Sequence, residues 1–156
     1  MLKKIPHNLS PELVKALMEM GHGDEILLAD ANYPALTNNS RVIRADGLSM
    51  STLLPDILEL LPLDTYSDYQ AILMEVVPGD DAVPNGRPQI WNTYEEELKK
   101  VFPNYQIKTI ERQHFYTYTH KCFTIVQTGE TALGSYVKNP DIKVRTNLTF
   151  NLNYLI

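Results

Sequence analysis

The sequence predicts an α/β fold: one layered α/β/α domain around a largely parallel central sheet. Two observations lead there. Short apolar runs bounded by turn residues alternate with segments of helical apolar spacing. The chain of 156 residues is long enough for one compact domain and short for two. At 44% hydrophobic and 21% charged, it can bury a core without metal or disulfide staples.

The elements follow in order. Ser10-Pro11-Glu12 is a helix start: a capping serine, a proline at the first helical position and an acid in the first turn. Leu13, Leu17, Met18 and Met20 give this helix its apolar face, and Gly21 is expected to end it in a left-handed cap. Residues 25–29 read as a buried strand ending at Asp30, and residues 32–34 as loop. Residues 41–44 form another short strand, closed by Asp46-Gly47. From 51 to 61, Leu53, Leu54, Ile57, Leu58 and Leu61 share one helical face, with Pro55 near the start where proline is tolerated. Residues 71–77 are the clearest central strand, and 78–88 a polar loop rich in Pro, Gly and Asp. Thr93-Tyr94-Glu95-Glu96 matches a capping box that opens a helix running to about Phe102. Residues 105–110 are a strand, 112–121 a helix with an aromatic side, and 122–128 a last core strand stopped by Gly129. Residues 1–133 carry this pattern. The remainder, 134–156, is an atypical segment of the same domain or a loose tail, with weak alternation and Asn147, Asn151 and Asn153.

Charge and composition exclude several classes. Net charge is -5 and the scattered Lys and Arg form no run longer than a pair, which argues against nucleic acid and anionic membrane as partners. A small neutral ligand or another protein fits better. No window approaches the roughly 18 apolar residues of a membrane helix, and Met1 to Pro6 lacks the apolar run of a signal peptide. The single cysteine, Cys122, excludes an intramolecular disulfide and a cysteine-rich zinc site; it lies in an apolar strand and reads as core. Together these point to the cytoplasm. There is no phosphate loop, dinucleotide fingerprint or nucleophile elbow.

What chemistry remains centres on a few side chains. His22 lies between Gly21 and Gly23 just past a helix end. A ring so placed can give and take protons near neutral pH, or can simply cap the last carbonyls. Asp30 ends a strand, where a carboxylate either reaches a ligand hydroxyl or closes an Asx turn. The stretch Arg112-Gln113-His114-Phe115-Tyr116-Thr117-Tyr118 offers aromatic faces and donors suited to a polyhydroxy ligand; it also reads as an ordinary half-buried helix. His114 and His120 have no metal-ligand spacing and read as surface residues.

The combination of segments resembles a known family. Ser10-Pro11-Glu12-Leu13, Met20-Gly21-His22-Gly23-Asp24-Glu25, Ala29-Asp30-Ala31-Asn32-Tyr33-Pro34, Val42-Ile43-Arg44-Ala45-Asp46-Gly47, Leu63-Asp64-Thr65-Tyr66, Phe115-Tyr116 and Thr128-Gly129-Glu130 occur in the order and spacing of the fucose mutarotase branch of the ribose pyranase and fucose mutarotase family. The match covers about residues 1 to 133. It implies interconversion of the α and β anomers of a free sugar by acid/base ring opening and closure, with L-fucose as substrate and no metal or redox cofactor. Carried over, His22 is the proton donor and Tyr116 supplies a second hydroxyl to the proton relay. Asp30 and Arg112 bind the sugar, and an arginine at 112 favours fucose over ribose. The family forms ring-shaped higher oligomers, often decamers, with sites near subunit contacts. The C-terminus departs from the pattern. Where the family carries a Tyr-x-Asn element that contacts the sugar, this chain reads Leu133-Gly134-Ser135-Tyr136-Val137, leaving Tyr136 to supply a hydroxyl from a shifted position. The resemblance thus leaves two alternatives beside the mutarotase: a non-catalytic sugar-binding or regulatory oligomer, and a ribose-type pyranose/furanose isomerase.

Overall fold

The computed structural model describes residues 2–79, 83 and 85–131, and the backbone of 148–151. The described residues form eleven elements: the nine expected ones, a short helix between the first two strands where the sequence predicts none, and a further strand near the C-terminus. Helices α1 (Pro11–Glu19), α2 (Ala35–Asn38), α3 (Met50–Leu60), α4 (Ile90–Val101) and α5 (Arg112–Thr119) are interleaved with strands β1 (Glu25–Ala29), β2 (Val42–Ala45), β3 (Ala71–Met74), β4 (Ile107–Ile110), β5 (Thr124–Thr128) and β6 (Leu148–Asn151). The sheet order is β2-β5-β1-β6-β3-β4. β1 and β2 pair with β5 in parallel, and β3 pairs with β4 in parallel. β6 runs antiparallel between β1 and β3. Five strands therefore point one way, and their C-terminal ends share one edge of the sheet.

Alternation along the strands builds two cores. Ile26 and Leu28 of β1 face Leu13, Leu17, Leu53, Leu54, Ile57, Tyr94 and Leu98 of α1, α3 and α4. Leu27 and Ala29 face the other way, toward Tyr33, Ala35 and Phe115 around α2 and α5. Residues 26–29 are fully buried because both faces are covered, which is why this strand reads as a continuous apolar run. Each fully buried leucine or isoleucine contributes roughly 1.5–3 kcal/mol of transfer free energy.

Local chemistry sets several boundaries and corrects others. Ser10 caps α1 by accepting from the Leu13 N–H, and Ser49 caps α3 by accepting from Thr52. Gly21 does not take the left-handed cap: α1 ends on Met20 in extended conformation, and Gly23, at φ +82°, makes the left-handed step instead. The difference comes from Asp24, whose carboxylate accepts the Gly21 N–H at 2.7 Å and closes a tight turn around His22. Pro55 lies inside α3, beyond the first turn. The capping box at Thr93 is not used. α4 starts at Ile90 without a side-chain cap, because Trp91, Tyr94 and Leu98 form one buried face and draw the helix back by a turn. β3 stops at Met74, three residues short of the expected end: Glu75 still donates its N–H to Ile110, after which Val77 is exposed. β4, β5 and α5 are likewise shorter than the spacing suggests. The stretch beyond 133, expected as an atypical segment of the same domain or a loose tail, contributes β6 to the middle of the sheet, so β5 is not the last strand.

Candidate functional site

Asp30 leaves the end of β1 and is 3% exposed. Its Oδ1 accepts the Asn32 N–H at 2.7 Å, so the Asx turn is formed, and the turn directs the following loop. Three groups from the end of β5 clamp that loop. The Gln127 amide donates to the carbonyls of Ala31 and Tyr33 at 3.2 and 2.9 Å. The Glu130 carbonyl accepts the Ala31 N–H at 3.0 Å, and the Thr128 hydroxyl donates to Ala29 O at 2.9 Å. Arg44 fixes which way the Gln127 amide faces by donating Nη1 to its Oε1 at 3.0 Å, while pairing with Asp46. The Arg44-Ala45-Asp46-Gly47 segment therefore acts as a brace for the Asp30 loop.

α5 brings further groups to this end of the sheet. It starts directly after β4, where the Glu111 carboxylate caps it by accepting from Gln113 and His114. Those backbone hydrogen bonds hold the exposed Glu111 carboxyl below its ordinary value. Arg112 occupies the first position of the helix and is partly exposed. It enters three strands away from β1; one turn later Tyr116 has been carried back, and its ring centroid lies 5.6 Å from that of Tyr33. Tyr33 is buried and hydrogen-bonded to Thr119. Asp30, Arg112 and Tyr116 thus belong to the same end of the molecule.

His22 does not. It precedes β1 and stands at the opposite edge of the sheet, exposed, with no hydrogen bond on its ring among the described residues. Five residues of strand, at ~3.3 Å each, separate its turn from Asp30 by roughly 16 Å. Its neighbour is Asp64, in the loop between α3 and β3. Burial works to raise the Asp64 carboxyl, but hydrogen bonds from Ser67 Oγ and the Tyr66 N–H, with the charge of His22, outweigh burial and hold it below its ordinary value. Sequence reasoning missed Asp64 as a chemical group. The signal was present in Asp64-Thr65-Tyr66-Ser67, an Asx-turn pattern that begins within one of the matched segments. Tyr136 lies outside the described residues. His114 and His120 are exposed, and His120 Nδ1 lies 2.7 Å from the Asn38 carbonyl. Among the described residues no group of His, Cys, Asp and Glu is arranged to hold a metal ion, and no helix is long and apolar enough to cross a membrane.

A second polar cluster sits at the His22 end. Tyr118 donates its hydroxyl to Glu25, and the Tyr69 hydroxyl lies 3.3 Å from that of Tyr118. Burial raises the Glu25 carboxyl, against the pull of Tyr118 and Lys121. Burial and the contacts with Glu25 and Tyr69 push the Tyr118 phenol up. A carboxyl raised on folding binds its proton more tightly in the native state. The stability it contributes is full below its ordinary value of 4.5 and is lost as pH rises through the raised value. Glu25→Gln keeps an acceptor for Tyr118 without a charge to desolvate. Melting curves at pH 4.5 and pH 7 should show the variant gaining on the wild type at the higher pH; parallel behaviour would refute this reading of Glu25.

Comparison with known proteins bears on the same residues. The model of the RbsD / FucU transport protein family matches residues 3–136. The chain is 47% identical over 135 residues to the fucose mutarotase of Homo sapiens, covering 85% of this chain and 87% of that protein. It is 44% identical over 132 residues to an L-fucose mutarotase of Haemophilus influenzae, covering 85% and 90%. The crystal structure of a fucose mutarotase from Streptococcus pneumoniae, in complex with L-fucose, superposes with a TM-score of 0.82 at 40% identity, over 99% of this chain and 100% of that one. With its sheet, its matched segments and these likenesses in agreement, the chain belongs to the RbsD / FucU family.

Proposed function

We propose that this protein is an L-fucose mutarotase, an isomerase that interconverts the α and β anomers of the free sugar. The observation that carries the reading is an exposed imidazole, His22, held in a pinned turn within the field of the Asp64 carboxylate. The name shared by the relatives supports L-fucose as the substrate.

The reaction shuffles protons only. As the proton on the anomeric oxygen leaves for a base, an acid protonates the ring oxygen and the C1–O5 bond breaks. The resulting aldehyde rotates about C1–C2, and the reverse transfers close the ring on the other face. In our reading His22 protonates the ring oxygen, and Asp64 stabilises the imidazolium. Tyr116 relays the anomeric proton, while Asp30 and Arg112 hold ring hydroxyls. Tyr136, shifted from the tyrosine position of the family pattern, is assigned to the sugar as well.

One chain cannot bring these groups to one sugar. A proton donor must lie ~2.6–3.2 Å from the atom it serves, and His22 stands a whole strand length from Asp30. We therefore place the site at a contact between two copies. One copy presents His22 and Asp64; its neighbour presents Asp30, Arg112 and Tyr116. Contacts of this head-to-tail kind close into rings, which agrees with the ring-shaped homo-oligomer, a decamer, of our reading. We further assign 134–156 to the same domain as 1–133, because β6 pairs with β1 and β3. A cytoplasmic setting fits the lone buried thiol of Cys122.

The test is exchange NMR on equilibrated L-fucose. Addition of the protein should broaden and then merge the α and β anomeric signals at catalytic concentration. Unchanged exchange with L-fucose, D-ribose and D-galactose would leave the non-catalytic sugar binder as the better account.

A further inference from the structure

Tyr66 is 79% exposed, the most exposed of the large aromatic side chains among the described residues. Exposure of such a ring is ordinary on a loose loop, but this loop is not loose. The Tyr66 N–H donates to Asp64 Oδ1 at 2.8 Å, and Ser67 Oγ donates to Asp64 Oδ2 at 2.6 Å. The buried Gln70 side chain donates to the carbonyls of Asp64 and Ser67 at 2.8 and 3.2 Å, and accepts the Gln106 N–H at 2.8 Å. A turn tied at four points therefore holds an aromatic ring out into solvent. It does so one residue from Thr65 and two from Asp64, the carboxylate that feels the charge of His22.

The chemistry such a ring recognises is a flat patch of C–H bonds. A 6-deoxyhexose of the galacto configuration has one: C3, C4 and C5 present their hydrogens to one face, and the C6 methyl extends it. Its hydroxyls are assigned above to Asp30 and Arg112 and its anomeric proton to Tyr116, which leaves the apolar face without an assigned contact. We propose that Tyr66 is a specificity-determining residue that crosses the contact between copies together with His22 and Asp64. It stacks on the apolar face of the sugar and selects for the C6 methyl group. This inference rests on the mutarotase reading above. The stacking needs the ring and not its hydroxyl.

The experiment compares wild type, Tyr66→Ala and Tyr66→Phe by exchange NMR at graded concentrations of L-fucose and of D-arabinose, which shares the ring configuration but lacks the methyl group. Sedimentation of each variant gives its oligomeric mass. Tyr66→Ala should raise the KM for L-fucose about tenfold, on the scale of one aromatic contact. The effect on D-arabinose should be smaller, Tyr66→Phe should restore the wild-type KM, and the mass should stay the same. An unchanged KM in Tyr66→Ala overturns the proposal. So does a Phe variant as weak as the Ala variant, or an Ala variant of altered mass, which would make Tyr66 an assembly residue. A wild type that fails to accelerate L-fucose exchange overturns the mutarotase reading itself, and the wild-type control separates that outcome from the others.

Discussion

His22→Ala should abolish the acceleration of L-fucose anomer exchange by at least ~10²-fold, the usual contribution of a positioned acid or base. Sugar affinity should change little. The imidazole is exposed and outside both cores, so its removal costs no packing, and the turn that carries it is closed by Asp24 and Gly23 rather than by the ring. The expected pattern is thus a loss in kcat with a nearly unchanged KM and melting temperature. Asp64→Asn should lower kcat less, because it removes a charge near the imidazole and leaves the imidazole in place. Retained turnover in His22→Ala would remove His22 from the chemistry, and a matching loss of stability would show it to be a cap.

Gly129→Ala should be the most destabilising glycine-to-alanine change among the described residues. A Cβ on Gly129 would lie 2.0 Å from the Asp46 carbonyl oxygen and 2.9 Å from its carbon, both backbone atoms with no freedom to swing away. The same residue donates its N–H to Leu48 at 2.8 Å. The turn after β2 therefore packs directly on the end of β5, and only glycine permits that approach. Forcing them apart would also strain the Met50 N–H to Glu130 hydrogen bond and the Ala31 N–H to Glu130 bond beside Asp30. The expected loss is about 3–5 kcal/mol, or a fall in Tm of roughly 10 °C for a domain of this size. Gly47, in the same turn, has nothing within 4 Å of an added Cβ. Gly47→Ala should therefore lie within about 0.5 kcal/mol of wild type. Thermal melts of the two variants side by side give the comparison, and equal behaviour would contradict the packing argument.

The fold was largely legible because its signals are local. Ser10-Pro11 places a helix start through its own hydroxyl and ring, and the uninterrupted apolar run at 26–29 marks a strand covered on both faces. What failed was whatever depends on distant neighbours. The Thr93 box lost to the burial of Trp91 and Tyr94, and the partners that make β6 central, β1 and β3, lie far from it in sequence. The polar site was legible as residue types and not as an arrangement. The strand expected at 25–29 already separates His22 from Asp30, but the sequence does not show which other groups gather at each end of the sheet. Nor does the spacing reveal that Arg44 and Gln127, 83 residues apart, would brace one loop.

The claim that most needs testing is that one sugar is held by two copies. Two inactive variants, His22→Ala and Asp30→Ala, can be co-expressed with different tags and the mixed oligomer isolated through both. If His22 and Asp30 come from different copies, roughly a quarter of the contacts in a random mixture join two intact halves. The mixed oligomer should then regain L-fucose exchange well above either parent. If it is as inactive as both parents, donor and sugar-holding group must serve the sugar from within one chain, and the two-copy site is wrong.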